Sequence, residues 1–278
     1  MPLSITLPDF DFPTLVPKLA ARVPDWNPDR ASELAKRLGV DAKAVDAGLW
    51  YIARGDRAIL EVFQASQSFR FSRRDVDGEA LDGTDGAPDS EKAIDIARGW
   101  LAPFPGSEMS VHSVIEREVL VVTRDSDEPK RLVAGLDVNM QYAVHGMPFI
   151  GPGAKAKVCV DREGNIVEAY RFWRDFDISG ETKLQSPKAI AERFGRSELF
   201  AELSEDTAKV EVTGARFGFF CLPPTELAGS LAPVVEVRGV LATKQQDRYE
   251  FTRYISAVAK EDGRNRMKLT APRGYVIS

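Results

Sequence analysis

The sequence predicts an α+β fold of tandem units, in each of which one helix packs on an antiparallel sheet. A short amphipathic helix pattern with a Ser or Asp start signal occurs three times, at residues 29–38, 90–101 and 186–194. Strand-like segments follow each of these helices. Because the apolar stripe of a helix needs a surface to cover it, each helix is expected to pack on a sheet of its own unit.

The N-terminal 28 residues contain six prolines, which predicts an extended arm over residues 1–28. A first α+β unit is expected over residues 29–88. Its helix has four apolar residues at helical spacing, Ala31, Leu34, Ala35 and Leu38. The unit ends in an acidic linker between Arg74 and Asp89. The linker is rich in Asp and Gly, but its spacing departs from the twelve-residue calcium loop, so a solvated loop is favoured over an ion site.

A second unit is expected over residues 89–180 and a third over residues 181–278. In the second unit, the helix at 90–101 precedes several strands, and the segments 155–160 and 166–176 form the clearest hairpin of the chain. The third unit begins with a helix at 187–194, continues with strands and ends in a charged tail.

The hairpin and the helix before it resemble PepSY-type domains. Residues 146–167 read GMPFIGPGAKAKVCVDREGNIV, a Gly-x-Pro turn followed by a hairpin of the form V-x-V-D-x-x-G-x-V, and the helix at 90–101 precedes them. The resemblance covers about residues 90–176. It implies a helix-plus-sheet fold like that of the accessory proteins that restrain membrane histidine kinases in Gram-positive bacteria. It also implies an exported or membrane-attached protein that binds or inhibits other proteins.

Composition excludes several classes of protein. The chain has 278 residues, 44% apolar and 28% charged, within the range of soluble globular proteins. The net charge is −5 and the basic residues are scattered among acidic ones, so no basic stripe is available for nucleic acid. No apolar run approaches the roughly 20 residues of a transmembrane helix. The N-terminus lacks secretory signal features, which predicts a cytoplasmic protein, or an exported one if a signal has been removed.

The expected binding region is the loop and hairpin from residue 142 to residue 173. Its prolines and glycines preset the backbone, which lowers the cost of ordering on binding, and aromatic and Arg side chains are typical of binding hot spots. The candidate contact residues are Tyr142, His145, Met147, Phe149, Arg171 and Trp173. The alternative for Trp173 is a place in the core, with one side of its strand buried and the other exposed.

The sequence contains no recognisable catalytic or metal-binding pattern. With only His112 and His145, a His-based metal site is not expected, and no cofactor is expected either. No G-x-S-x-G nucleophile elbow occurs. Cys159 and Cys221 are expected to be reduced strand residues, although a single disulfide between them stays open.

Two functions are compatible with these features. The first is a non-catalytic binding or regulatory protein that uses a sheet face and the 142–173 region to engage a protein or peptide partner. The alternative is a cofactor-independent enzyme of isomerase or cyclase type, acting on a small apolar molecule in a pocket between units. Such an enzyme could run on Asp, Glu, His or Tyr acid–base chemistry and leave no motif. Whether the protein is an enzyme is left open by the sequence.

Overall fold

The computed structural model describes residues 6–74, 89–104, 106, 108–121, 130–196, 207–244 and 248–258. These residues form a mainly β structure, 53% strand and 15% helix. The described part of the chain contains fourteen strands and three helices. The predicted acidic linker and the predicted charged tail lie outside the described residues.

The elements have the following bounds. The helices are α1 (Pro28–Arg37), α2 (Ser90–Leu101) and α3 (Pro187–Gly195). The strands are β1 (Leu15–Ala21), β2 (Ala44–Asp46), β3 (Trp50–Arg54), β4 (Ala58–Phe63), β5 (Phe69–Arg73), β6 (Met109–Val121), β7 (Lys130–Val144), β8 (Met147–Ile150), β9 (Lys155–Asp161), β10 (Ile166–Phe172), β11 (Phe176–Lys183), β12 (Thr207–Phe220), β13 (Ser230–Thr243) and β14 (Arg248–Ser256).

The three helices form close to where the sequence predicts them, because each has a strong local start signal. The side-chain oxygens of Asn27, Asp89 and Ser186 accept a hydrogen bond from a backbone N–H of the first turn. Such caps satisfy backbone donors that have no partner within the helix. Pro28 and Pro187 add a preset backbone angle at the first helical position.

Contacts between residues divide the chain into two compact units, each built from separate segments. The larger unit comprises Ala20–Asp177 and Cys221–Leu231, and the smaller unit comprises Met1–Leu19, Ile178–Phe220 and Ala232–Ser278. The limits of these units differ from the segment boundaries predicted from the sequence, which lie after residues 28, 88 and 180.

The sheet of the larger unit contains strands from both the first and the second predicted unit. Its strand order is β8-β7-β9-β10-β5-β4-β3-β2, and β6 also pairs with β7. The pairs within it are antiparallel. The contact between β10 and β5 places Ala169 opposite Phe71 and Arg171 opposite Phe69. The predicted first and second units therefore share one sheet.

The prediction of tandem α+β units, with one helix on each sheet, is wrong. Helix α1 buries Leu34 in the same cluster as Leu60 and Phe71. Trp100 of α2 packs against the same strands, with ring centroids 5.9 Å from Phe69 and 6.1 Å from Phe71. Two helices therefore cover one face of one sheet, because eight or more adjacent strands expose more apolar surface than one short helix can bury. The helix pattern recurs in the sequence, but the architecture is sheet-dominated and does not repeat.

The smaller unit is a second antiparallel assembly. β13 pairs with β12 and with β14 along most of its length, and α3 packs on this sheet through Phe194, whose ring centroid lies 6.1 Å from that of Phe251. β1 is placed between β11 and β13. Part of the predicted N-terminal arm is therefore a strand of this sheet, with Val16 and Leu19 buried. No helix in the described ranges is long and apolar enough to cross a membrane.

Candidate functional site

The sheet of the larger unit has two chemically different faces. Side chains alternate along a strand, so β10 directs Arg171 to the face that bears Phe69 and to the helices, and Tyr170 to the other face. We call the first the helix face. The second, defined by Arg117, Asp137, Lys157, Glu168 and Tyr170, we call the polar face.

Four of the six predicted contact residues come together, and all four are buried. The ring centroid of Trp173 lies 4.6 Å from that of Tyr142 and 5.6 Å from that of Phe149. The Arg171 guanidinium lies 5.5 Å from the centre of the Trp173 ring and 5.9 Å from that of Tyr142. These four side chains belong to the core of the larger unit.

Trp173 is fixed by hydrogen bonds as well as by packing. Its side chain is 3% exposed. The indole N–H donates to Asp175 at 2.7 Å, and the backbone N–H donates to the Ser68 hydroxyl at 2.9 Å. A side chain held in this way supports the surface around it and is not itself accessible to a partner.

Arg171 is a buried cation inside a ring of aromatic side chains. Its Nη1 donates to the backbone oxygen of Gln67 at 3.2 Å, and it is hydrogen-bonded to Tyr142. The Phe104 ring adds a third aromatic contact at 5.6 Å. Burial lowers the pKa of Arg171 and raises the pKa of the Tyr142 hydroxyl. The aromatic faces offset part of the cost of burying this charge, because their negative quadrupole attracts cations.

His145 and Met147 lie at the turn between β7 and β8. His145 has φ 50 and Gly146 has φ 73, so two consecutive residues adopt the left-handed conformation that a two-residue hairpin turn requires. The Gly146 N–H donates to the Glu108 carboxylate at 2.9 Å. His145 is exposed and Met147 is half-buried. Both are more accessible than the four buried residues: His145 lies in the turn, and Met147 begins β8.

Sequence reasoning missed the polar face, which gathers charged groups from four strands. Lys157 Nζ lies 3.4 Å from Asp137 Oδ2 and 3.5 Å from Glu168 Oε1. Arg117 Nη1 lies 2.9 Å from Glu168 Oε2. Lys157 also lies 5.7 Å from the centre of the Tyr170 ring. The only signal in the sequence was the alternation along β9 and β10, because the partners on β6 and β7 depend on sheet register.

Both cysteines are free and buried. The Cys159 Sγ accepts a hydrogen bond from Arg117 Nη1 at 3.2 Å. Burial nevertheless raises the pKa of Cys159 to about 11, against the opposing effect of Arg117. Burial raises the pKa of Cys221 to about 12. Since the thiolate is the reactive form, neither thiol is poised for nucleophilic chemistry at neutral pH.

Arg174 anchors the segment 221–231 of the larger unit. Its guanidinium donates to the backbone oxygens of Ala65 at 2.7 Å and Pro223 at 2.5 Å, and to that of Glu226. The side chain is 3% exposed. The guanidinium thereby satisfies backbone oxygens of segments that do not belong to a helix or strand. Within the described ranges, no group of three or more His, Cys, Asp or Glu residues could hold a metal ion.

Comparison with known proteins assigns no family to the chain. No protein-family model matches it, and no curated protein matches it. Among solved structures, the chain is similar to an uncharacterized protein from Eubacterium rectale, with 13% sequence identity, 91% of this chain and 87% of that chain covered, and a TM-score of 0.47. A likeness at this TM-score carries no argument about function. The PepSY-like resemblance therefore stays a prediction.

Proposed function

We propose that the protein is a non-catalytic binding protein that engages a protein or peptide partner through the polar face of its larger unit. The strongest support is that side chains of both charges form ion pairs with one another beside an aromatic ring on the same face of the sheet. Arg117, Lys157, Asp137 and Glu168 form one connected network beside Tyr170.

The outer members of this network are exposed, while Lys157 and Asp137 beneath them are 18% and 23% exposed. The side chains of Arg117 and Glu168 are 40% and 37% exposed, so they keep contact with water while their positions are fixed by ion pairs. Charges held in this way give specificity and orientation to an encounter more than raw affinity. Tyr and Arg are also enriched among the residues that dominate binding energy.

The 142–173 region contributes to this proposal in two ways: some of its residues form the polar face, and others support that face from behind. The hairpin of β9 and β10 supplies Lys157, Glu168 and Tyr170 to the polar face. The buried residues Arg171 and Trp173 lie behind it, on the helix face, and make the hairpin rigid. A rigid surface loses less entropy on binding than a mobile one.

The high pKa of Cys159 supports a binding role over covalent catalysis. The Cys159 Sγ accepts a hydrogen bond from Arg117 of the network, and its pKa of about 11 keeps the thiol protonated at neutral pH. The role also agrees with the binding of other proteins that the PepSY-like resemblance implies.

The experiment is a selection of peptides from a random displayed library on the wild-type protein, followed by calorimetry with variants. Lys157→Ala and Tyr170→Ala should each weaken the selected peptides by about tenfold or more, the loss typical of an interface anchor. Lys209→Ala, an exposed Lys of the smaller unit that also pairs with a carboxylate, is the matched control. Peptides that bind both polar-face variants as tightly as wild type would contradict the proposal, as would a selection that yields no binder.

A further inference from the structure

Strand β6 of the larger unit has a long edge with no strand beside it in the described part of the chain. It runs for 13 residues and pairs with β7 alone. The outer edge of such a strand presents N–H and C=O groups that can pair with another strand. Two apolar side chains on β6 are well exposed, Ile115 at 56% and Leu120 at 63%. Both features are typical of a strand that is covered in an assembly.

The regular part of β6 is centred on Ile115. Its pairing with β7 shifts register between Val111 and Ser113 and again between Arg117 and Glu118. Between these shifts, residues 113–117 form an uninterrupted strand with Ile115 at its midpoint. A straight segment of this kind can accept a partner strand, whereas shifts of register twist an edge away.

The sequence of β6 favours one partner register when β6 pairs with a second copy of itself, because the exposed Ile115 then contacts its own copy and no like charges are opposed. In an antiparallel pair centred on Ile115, the two Ile115 side chains are opposite each other and Ser113 is opposite Arg117. Within the same regular segment, Val114 is opposite Glu116. The two-fold axis then joins two exposed apolar side chains, and no pair opposes like charges.

Other centres are less favourable. A centre at Glu116 places two Glu116 side chains together. A centre at Arg117 places two Arg117 side chains together and Glu116 against Glu118. Like charges directly opposite each other destabilise a strand pair. A centre at Val114 avoids like charges but leaves the exposed Ile115 opposite Ser113.

We propose that two copies of this chain dimerise by antiparallel pairing of their β6 strands, with the two-fold axis at Ile115. The interface is isologous, because the same strand contributes from both copies. It extends the sheet of the larger unit into a continuous sheet across the dimer and covers the exposed edge. The polar faces of the two copies then lie on the same side of that sheet, because a two-fold axis perpendicular to the sheet preserves its faces.

The first experiment is cross-linking of Ile115→Cys by mild oxidation and by a short bis-maleimide. Residues directly opposite in an antiparallel pair have Cβ atoms about 4.5–5.5 Å apart, within reach of both reagents. The native cysteines give little background because they are buried with raised pKa values. Ile178→Cys is the matched control, since Ile178 is also a strand isoleucine and is 53% exposed. A covalent dimer with Ile115→Cys alone is the expected result, and equal cross-linking of both variants overturns the proposal.

The second experiment measures oligomeric state by sedimentation equilibrium. Wild type should dimerise, and Ile115→Lys should raise the dimer dissociation constant at least tenfold because it opposes two lysines at the two-fold axis. Ile178→Lys should dimerise like wild type. Circular dichroism checks that each variant is folded. The proposal is overturned if wild type stays monomeric at protein concentrations up to about 100 µM, because the dimer dissociation constant then lies above that value. It is also overturned if Ile115→Lys leaves the dimer intact.

Discussion

At the scale of single residues, the sequence predicts which side chains lie together better than it predicts which of them are exposed. Along β10, side-chain alternation places Arg171 on one side of the strand and Tyr170 and Phe172 on the other. Both sides combine aromatic and charged groups, so composition does not say which side the helices cover. Burial is decided by β5 and α2, which are distant in sequence. The predicted contact residues therefore include four core side chains, and the partly exposed Lys157 and Glu168 were missed.

The burial of Trp173 leads to a stability prediction. Trp173→Ala should lower the free energy of unfolding by about 3–5 kcal/mol, because it removes a large buried ring and leaves a cavity. Urea denaturation followed by circular dichroism measures this, since the substitution itself changes the fluorescence. Tyr249→Ala, at an aromatic residue that is 56% exposed, should change stability by less than about 0.5 kcal/mol. A stability of Trp173→Ala equal to that of this control would show that Trp173 is not part of the core.

Arg174 leads to a second prediction at this scale. Arg174→Met keeps much of the side-chain volume but removes the donors to three backbone oxygens. A buried acceptor left without a partner costs about 1–3 kcal/mol, so the total loss should reach about 3 kcal/mol or more. Urea denaturation again measures the loss. Arg131→Met, at a side chain that is 74% exposed, is the control and should be nearly neutral. Equal stability of the two variants would mean that water replaces the lost donors.

The two thiols give a third prediction, on pH. Burial raises the pKa of Cys159 to about 11 and that of Cys221 to about 12, whereas an unfolded thiol ionises at about 8.5. The unfolded chain therefore loses these protons first as pH rises, which favours unfolding. Their contribution to stability is complete below about pH 8.5 and should be lost as pH rises towards 11.

A comparison of wild type with the Cys159→Ala, Cys221→Ala double variant isolates this effect from that of the tyrosines. Urea denaturation at pH 8, 9 and 10 should show a steeper fall in stability for wild type than for the double variant. Parallel curves would indicate that the thiols ionise in the folded protein as they do in the unfolded chain.

At the scale of elements, helices and the local hairpin were predictable, and sheet partners distant in sequence were not. The helix start signals in the sequence, at Asp29, Ser90 and Ser186, are local. The caps in the structure, Asn27, Asp89 and Ser186, lie within two residues of them, because cap and helix are adjacent in the chain. The hairpin of β9 and β10 is local too, since its turn of residues 161–165 sets the pairing. The pairing of β10 with β5 joins residues about a hundred positions apart, and neither strand has a pattern that specifies the other.

Substitutions at two glycines differ in the space that the structure leaves for a Cβ atom. A Cβ added at Gly153 would lie 1.7 Å from the backbone oxygen of Leu222, within the larger unit. Gly153→Ala should therefore destabilise the protein, by an amount comparable to other overpacked sites, about 1–3 kcal/mol or more. Gly99→Ala is the matched control, because a Cβ there meets nothing within 4 Å. Gly99 lies inside α2, so its replacement should stabilise the protein by up to about 1 kcal/mol.

Thermal unfolding of both glycine variants, monitored by circular dichroism, measures these effects. The melting temperature should fall for Gly153→Ala and stay equal or rise for Gly99→Ala. A Gly153→Ala variant as stable as wild type would mean that the backbone near Leu222 moves away at little cost.

At the scale of the whole molecule, the helix pattern that occurs three times in the sequence does not produce three repeated helix-on-sheet units in the structure. Each amphipathic helix needs an apolar surface, but nothing local requires a separate surface for each. α1 and α2 pack on one sheet, and β1, from the N-terminus, joins strands from the C-terminal half of the chain. The six prolines before residue 29 favoured an arm, yet Pro17 lies within β1. Long-range pairing of this kind overrides local composition.

The place of β1 in the smaller unit leads to the last prediction. Leu19 is 2% exposed and Leu15 is 50% exposed on the same strand. Leu19→Ala should lower the stability of the smaller unit by about 2–5 kcal/mol, the cost of truncating a buried leucine, whereas Leu15→Ala should cost less than about 0.5 kcal/mol. All four tryptophans, at positions 26, 50, 100 and 173, belong to the larger unit, so fluorescence does not report on the smaller one. Hydrogen exchange of β12 and β13, measured by mass spectrometry, does. Faster exchange there for Leu19→Ala and not for Leu15→Ala is expected. Equal exchange in both variants would mean that residues 15–21 lie on the molecule as a loose arm.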